Sequence, residues 1–286
     1  MEIKLSAFAD EAGKSLAEQI DNMLRNGVYN VELRSVDGIN VSDFTDEQAR
    51  SIYETLKENG IEVWSIGSPL GKIDIEKPFD EHFNLLKRLM QIADIMHTDR
   101  IRMFSYFVKR EDYAKYREEV IKRLNAFTEY AKGYKLCHEN ESAIYGATVD
   151  NCVDLYENVP GLYPVFDSAN FIMWDEDMRS AIDKLYDKVY YFHVKDNIYE
   201  TKQIVPSGYG DGLISELVAK LDRDATFTIE PHLKVFAGYG AIDDKELKNK
   251  FTYGSSSESF AAAINAFKKV MTDNGFVEGE KGIWKK

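Results

Sequence analysis

Two hydrophobic rhythms alternate along the chain. Residues 3–9 read as a strand that ends at Asp10-Glu11; residues 15–26 then set Leu16, Ile20, Met23 and Leu24 on one helical stripe, stopped by Gly27. A second strand at 28–33 precedes a helix running to Asn59-Gly60, where Thr45 and Gln48 stand at capping-box spacing. Further strands are predicted at 61–66, 100–104, 136–141, 165–167, 189–193 and 225–230. Helices are predicted at 79–96, 110–132, 149–158, 176–186, 213–221 and 257–272.

Eight strand–helix alternations with short connections predict an α/β fold built on a parallel sheet. No Pro-, Gly- or Ser-rich linker divides them, so residues 1–286 read as a single domain. Eight units in this length fit a closed (β/α)8 TIM barrel better than an open sheet, and no GxGxxG follows the first strand. One connection is long: the loop 231–256 after strand eight, with Gly238-Tyr239-Gly240, a helix expected at 243–250 and Ser255-Ser256-Ser257. It reads equally as a lid over the barrel mouth or as a surface excursion.

Composition narrows the function classes. Hydrophobic residues make up 44% and aromatics 13%, enough for a sizeable core, so disorder is not the default. The net charge of −13 argues against nucleic acid as a partner, because phosphate contacts call for a basic face. The two cysteines, Cys137 and Cys152, form no CxxC pair and indicate neither a disulfide framework nor a thiolate zinc site. The start Met1-Glu2-Ile3-Lys4-Leu5 is unlike a signal peptide and no apolar run approaches membrane-spanning length, which predicts a cytoplasmic protein with no membrane partner.

Candidate chemistry gathers at strand ends. In Leu136-Cys137-His138-Glu139-Asn140-Glu141, strand alternation puts Cys137, Glu139 and Glu141 on one face and His138 and Asn140 on the other. Val165-Phe166-Asp167, Tyr191-Phe192-His193 and Thr228-Ile229-Glu230 also finish on ligand-type residues. Polar residues end strands often, so each alone has a bland explanation; four in series weigh toward a metal site at the barrel mouth.

Together with Ala9-Asp10-Glu11, Val31-Glu32-Leu33-Arg34, Ser65-Ile66-Gly67-Ser68-Pro69, His193-Val194-Lys195-Asp196, Gly208-Tyr209-Gly210-Asp211-Gly212 and Ile229-Glu230-Pro231-His232, these strand ends resemble the xylose isomerase-like barrel superfamily, and among its branches the sugar phosphate isomerases/epimerases. The superfamily also holds ketose 3-epimerases, inosose dehydratases and endonuclease IV-type nucleases. The resemblance implies that Glu139, Asp167, His193 and Glu230 bind one divalent metal ion, with Glu139 and Glu230 also moving the substrate's proton. It further implies a homodimer. The ketose 3-epimerase pattern has a His where this chain has Asn170 and an acid where it has Tyr145. Both departures speak against an unmodified ketose epimerase. With five His in all, the chain is a poor match to the three-metal nuclease branch.

Such a donor set suits Mn, Mg or Zn without choosing among them. The expected activity is isomerisation or epimerisation of a small sugar or sugar phosphate by carboxylate-mediated proton transfer. The alternatives are a metal-dependent dehydratase of an inosose-like ketone and a non-catalytic sugar-binding barrel. Glu141 is the alternative to Glu139 as ligand. Asn170, Glu32, Lys195, Asp196, His232 and Tyr106 are candidate substrate contacts. Each has a structural alternative: Glu32 with Arg34 as a buried salt bridge, Lys195 with Asp196 as an ion pair, His232 as a surface loop residue. Tyr106, Trp64 and Trp174 are candidates for an aromatic wall, although core packing is the commoner fate of Trp. His138 reads as packed. The loops 67–71 and 208–212 offer backbone N–H groups to a phosphate, yet neither contains Lys or Arg and Asp211 is a poor neighbour for one, which favours an unphosphorylated substrate.

Overall fold

The alternating rhythm closes into a cylinder. The computed structural model describes residues 1–235 and 251–286. Its barrel strands are β1 (Glu2–Ala7), β2 (Asn30–Leu33), β3 (Glu62–Ile66), β4 (Arg100–Met103), β5 (Lys135–Glu139), β6 (Leu162–Asp167), β7 (Tyr191–Val194) and β8 (Ala225–Ile229). Each pairs in parallel with the next. β8 returns to β1 in register from Ile3↔Ala225 to Ala7↔Ile229, which completes the (β/α)8 barrel.

The helices are α1 (Leu16–Arg25), α2 (Asp46–Glu58), α3 (Phe79–Ile95), α4 (Tyr113–Tyr130), α5 (Val149–Asn158), α6 (Ser168–Met173), α7 (Met178–Leu185), α8 (Ile214–Ala219) and α9 (Ser256–Asp273). Local chemistry sets their starts. Thr45 Oγ1 accepts from the Gln48 N–H at 3.2 Å while Gln48 Oε1 accepts from the Thr45 N–H at 2.9 Å, the reciprocal box that its sequence predicts. Ser15 and Glu18 form the same device on α1. Apolar side chains on the outer strand faces, such as Ile3, Leu5 and Ile101, share one buried core with Leu89, Phe127 and Phe267 of the surrounding helices. Trp64, Cys137, Val165 and Tyr191 form a second apolar cluster. Cys137, Val165 and Tyr191 each stand two residues before a polar strand end, so they point into the barrel below it.

The structure adds elements that the hydrophobic pattern does not announce, and lengthens one that it does. α6 starts on the residue after Asp167, with Asp167 itself as its N-cap. β6 begins at Leu162 and runs through Pro164, three residues before the predicted start. At the C-terminus, β9 (Val277–Glu278) and β10 (Ile283–Lys285) form a hairpin, and β10 pairs antiparallel with β1 at Glu2–Lys4. Much of the expected loop 231–256, including Gly238-Tyr239-Gly240 and the helix predicted at 243–250, lies outside the described residues. Its flanks meet, since Lys234–Val235 pairs with Thr252–Tyr253. Among the described residues no helix is long and apolar enough to cross a membrane.

Candidate metal centre

Four consecutive strands bring Glu139, Asp167, His193 and Glu230 to one place. Each offers a ligand atom, all within 4.8 Å of one another, and all four side chains are buried. Barrel closure does this, because the C-terminal ends of neighbouring strands converge on a common mouth. Glu141, the alternative donor, lies on the rim with its carboxylate 3.0 Å from Lys72 Nζ.

The surrounding side chains fix the donors. His193 Nε2 lies 3.1 Å from Glu32 Oε2, and Tyr191 donates to Glu32 Oε1 at 2.9 Å. That leaves His193 Nδ1 facing the cluster, 3.1 Å from Glu139 Oε1. A carboxylate behind the imidazole is the usual way to fix the ring and tautomer of a metal-binding histidine. Arg102 Nη1 donates to Glu139 Oε2 at 2.9 Å. Arg34 Nη1 donates to Glu230 Oε1 at 3.2 Å, while Asp10 and Glu11 bind the rest of its guanidinium at 2.9 to 3.1 Å. Asn140 ties β5 to β6 by exchanging hydrogen bonds with the Asp167 backbone.

Two buried atoms in this cluster, Asp167 Oδ2 and His193 Nδ1, make no hydrogen bond. Buried polar atoms without partners are rare and call for an explanation. Lys195 Nζ is 3.0 Å from Asp167 Oδ2, outside hydrogen-bond geometry, and donates to Glu230 Oε2 at 2.9 Å. Three carboxylates and one imidazole with open lone pairs match what a hard or borderline divalent cation takes. The residues therefore fit such an ion.

Electrostatics hold the two glutamates ionised and raise the aspartate and the histidine. Burial pushes Glu139 up, but His193 and Arg102 outweigh it and hold the carboxyl at about 2. Glu230 is likewise held well below the usual range against its burial, chiefly by Lys195. Burial raises Asp167 to about 6, with Lys195 opposing the rise. Burial lowers His193, but Glu139 and Glu32 more than offset this and bring it to about 10.

The other candidates scatter. Asn170 joins the cluster: its backbone N–H donates to Asp167 Oδ1 at 3.0 Å and its Nδ2 donates to Glu139 Oε1 at 3.2 Å. Lys195 sits within it and Glu32 directly behind it. His232 is on the edge, with Nε2 3.3 Å from Glu11 and 3.6 Å from Glu230 and a half-exposed ring.

Asp196 does not face the cluster, because its carboxylate binds the backbone of its own loop. Nor does Tyr106: its buried ring packs against Phe127 of α4 and His82 of α3, outside the barrel. Trp64 belongs to the cluster below the mouth, and Arg100 lies 3.9 Å from its ring centre. Tyr145 donates to Asp154 at 2.8 Å, and His138 packs beside Tyr156 on the outer face. Trp174 lines a rim cleft of about 620 Å3 with Phe107, Ala143 and Met173; none of the four donors lines it.

Arg102 and Tyr191 escaped the sequence reading. The pattern Arg100-Ile101-Arg102-Met103 resembles a strand with one solvated face, and only barrel closure turns that face inward.

This fold and centre define a family. The chain belongs to the xylose isomerase-like TIM barrel family, whose sequence profile matches residues 20–251. No curated protein sequence matches it. Among solved structures it is similar to the probable 3-DHS dehydratase AsbF of Bacillus anthracis, involved in petrobactin synthesis, at 17% identity and a TM-score of 0.71 over 93% of this chain and 98% of that one. The IOLI protein with a bound zinc atom aligns at 14% identity and 0.71, covering 95% and 99%. D-Psicose 3-epimerase, in the presence of D-fructose, aligns at 16% identity and 0.67, covering 95% and 99%. At such identities the likeness is one of fold.

Proposed function

We propose that the chain is a divalent-metal-dependent isomerase or epimerase of a small sugar-like hydroxy-carbonyl compound, and that Glu139, Asp167, His193 and Glu230 hold the ion. The observation that carries this reading is the buried four-donor cluster in which Asp167 Oδ2 and His193 Nδ1 have no hydrogen-bond partner. A bound divalent cation supplies Lewis-acid stabilisation of negative charge developing on the substrate's carbonyl oxygen. Glu139 and Glu230 project from the ends of β5 and β8, with two strands between them around the mouth, and each has one oxygen clamped by an arginine. The other oxygen of each faces the centre. One takes the proton from the carbon beside the carbonyl, and the other returns a proton from the opposite side. Return to the same carbon is epimerisation; return to its neighbour is isomerisation. Asn170 orients Glu139, and Lys195 orients Glu230.

A dehydratase is the second reading, favoured by Lys195. Its buried ammonium, 2.9 Å from Glu230 Oε2, offers a charged hydrogen-bond donor to a departing hydroxyl.

Incubation with ketoses in deuterated water tests the proposal. Deuterium at the carbon beside the carbonyl, lost in Glu139→Gln and Glu230→Gln, supports it. An ultraviolet-absorbing unsaturated ketone without exchange product supports the dehydratase. Tight sugar binding without turnover in any variant would mark a non-catalytic barrel.

A further inference from the structure

A (β/α)8 barrel often receives a phosphate group at the loops after strands seven and eight, next to a short helix. Here the loop after β7 leads into the six-residue α8. In phosphate cradles, successive backbone N–H groups converge on the anion. In this loop they converge on the protein's own carboxylate. Asp196 Oδ2 accepts from the N–H groups of Gly208 at 2.8 Å and Gly210 at 3.1 Å. Its Oδ1 accepts from Gly212 at 2.9 Å and Asn197 at 3.0 Å. Of the remaining loop N–H groups, Tyr209 donates to Pro206 O at 3.1 Å and Asp211 to Asn197 O at 2.9 Å. Every N–H from Gly208 to Gly212 is thus taken. The close approach requires glycine: a Cβ would lie 2.3 Å from Asp196 Oδ1 at Gly210 and 2.7 Å from it at Gly212.

The other Gly-rich loop, after β3, is closed too. Gly67 donates to Leu33 O at 2.8 Å and Ser68 to Ile66 O at 2.9 Å. Leu70 donates to Ser68 Oγ at 3.3 Å and Gly71 to His82 Nδ1 at 3.0 Å, and Pro69 has no N–H. Among the described residues, these cations near the mouth have carboxylate partners: Arg34 with Asp10, Arg102 with Glu139, Lys195 with Glu230, Lys72 with Glu141 and Arg110 with Glu176. Lys109, exposed on the rim cleft, shares that cleft with the acidic side chains of Asp74, Glu111 and Asp175, poor neighbours for a phosphate.

We propose that Asp196 is a built-in anion filling the barrel's phosphate cradle, and that the substrate is therefore an unphosphorylated hydroxy-carbonyl compound. This inference rests on the isomerase or epimerase reading of the same mouth. A phosphate brought to the loop would have to displace a buried carboxylate from four N–H groups or sit against its like charge.

The test is calorimetric binding of D-fructose, fructose 1-phosphate and fructose 6-phosphate to the manganese-loaded protein, with deuterium exchange followed in parallel. The expected result is that each ester binds at least tenfold more weakly than the free ketose, and that inorganic phosphate does not compete. An ester binding as tightly as the ketose, or more so, overturns the inference. Preferential ketose binding without exchange upholds it while overturning the proposed catalysis; binding of none of the three contradicts both. Asp196→Ala, checked for folding by circular dichroism, is expected to gain inorganic phosphate binding that the unmodified protein lacks.

Discussion

Asp167 and Asp196 are both buried aspartates at the same rim, yet they face opposite circumstances. Asp196 has four N–H donors and a loop shaped around it. Asp167 has one oxygen capping α6 and the other without a hydrogen bond, in a cluster with three more donors. Burial alone does not separate structure from function here. Satisfaction does: a carboxylate with filled lone pairs holds the backbone, and one with an open lone pair awaits a ligand.

The largest effect is expected where the open donors are broken. Glu139→Gln should lower deuterium exchange by about 10²–10⁴-fold and reduce metal content by elemental analysis. Retained exchange would remove Glu139 from the chemistry. Next comes the satisfied carboxylate. Asp196→Asn replaces charge-assisted hydrogen bonds with weaker ones and puts an NH2 group against N–H donors. A loss of about 2–3 kcal/mol in urea unfolding is expected, with metal content unchanged; a loss of metal with no change in stability would reverse the roles assigned to the two aspartates.

Glu32→Gln lies between the two cases, since Glu32 touches His193 rather than the ion. A fall in metal affinity of about 10–100-fold is expected, read by competition with a chelating dye. The smallest effect concerns protons. In the metal-free protein His193 is raised to about 10 and Asp167 to about 6. An ion must displace whatever protons these groups hold, so binding at pH 8 should release about one proton and binding at pH 5 about two. Affinity then rises with pH. The sign for folding is the reverse: the raised His193 contributes stability to the metal-free chain that is full below its unfolded value near 6.5 and is lost as pH climbs through about 10. Calorimetry in buffers of different ionisation enthalpy counts the protons, and binding at pH 8 that releases none would exclude His193 as a donor.

The sequence carried the barrel because its signals are local. Thr45 with Gln48, and the stripe of Leu16, Ile20 and Met23, announce helices without help from the rest of the chain. The four donors were legible for a related reason: each is the polar end of an apolar strand. What stayed hidden depends on closure. Arg102 and Tyr191 look like residues of ordinary strands until the barrel folds them inward, and Tyr106 looks like a rim residue until its ring turns out toward α4. α6 was missed because Asp167 ends a strand and caps a helix at once, with no turn residue between them. The N–H groups of the loop 208–212 seemed available because nothing in Gly208-Tyr209-Gly210-Asp211-Gly212 shows that a carboxylate twelve residues earlier than Gly208 already binds them.

The most direct test of the central claim is metal stoichiometry by elemental analysis after soaking the purified protein in manganese, magnesium or zinc salts and removing the excess. One ion per chain in the unmodified protein, falling to none in Asp167→Asn, is the expected result. A folded, unmodified protein that stays free of cations in all three salts would contradict the account.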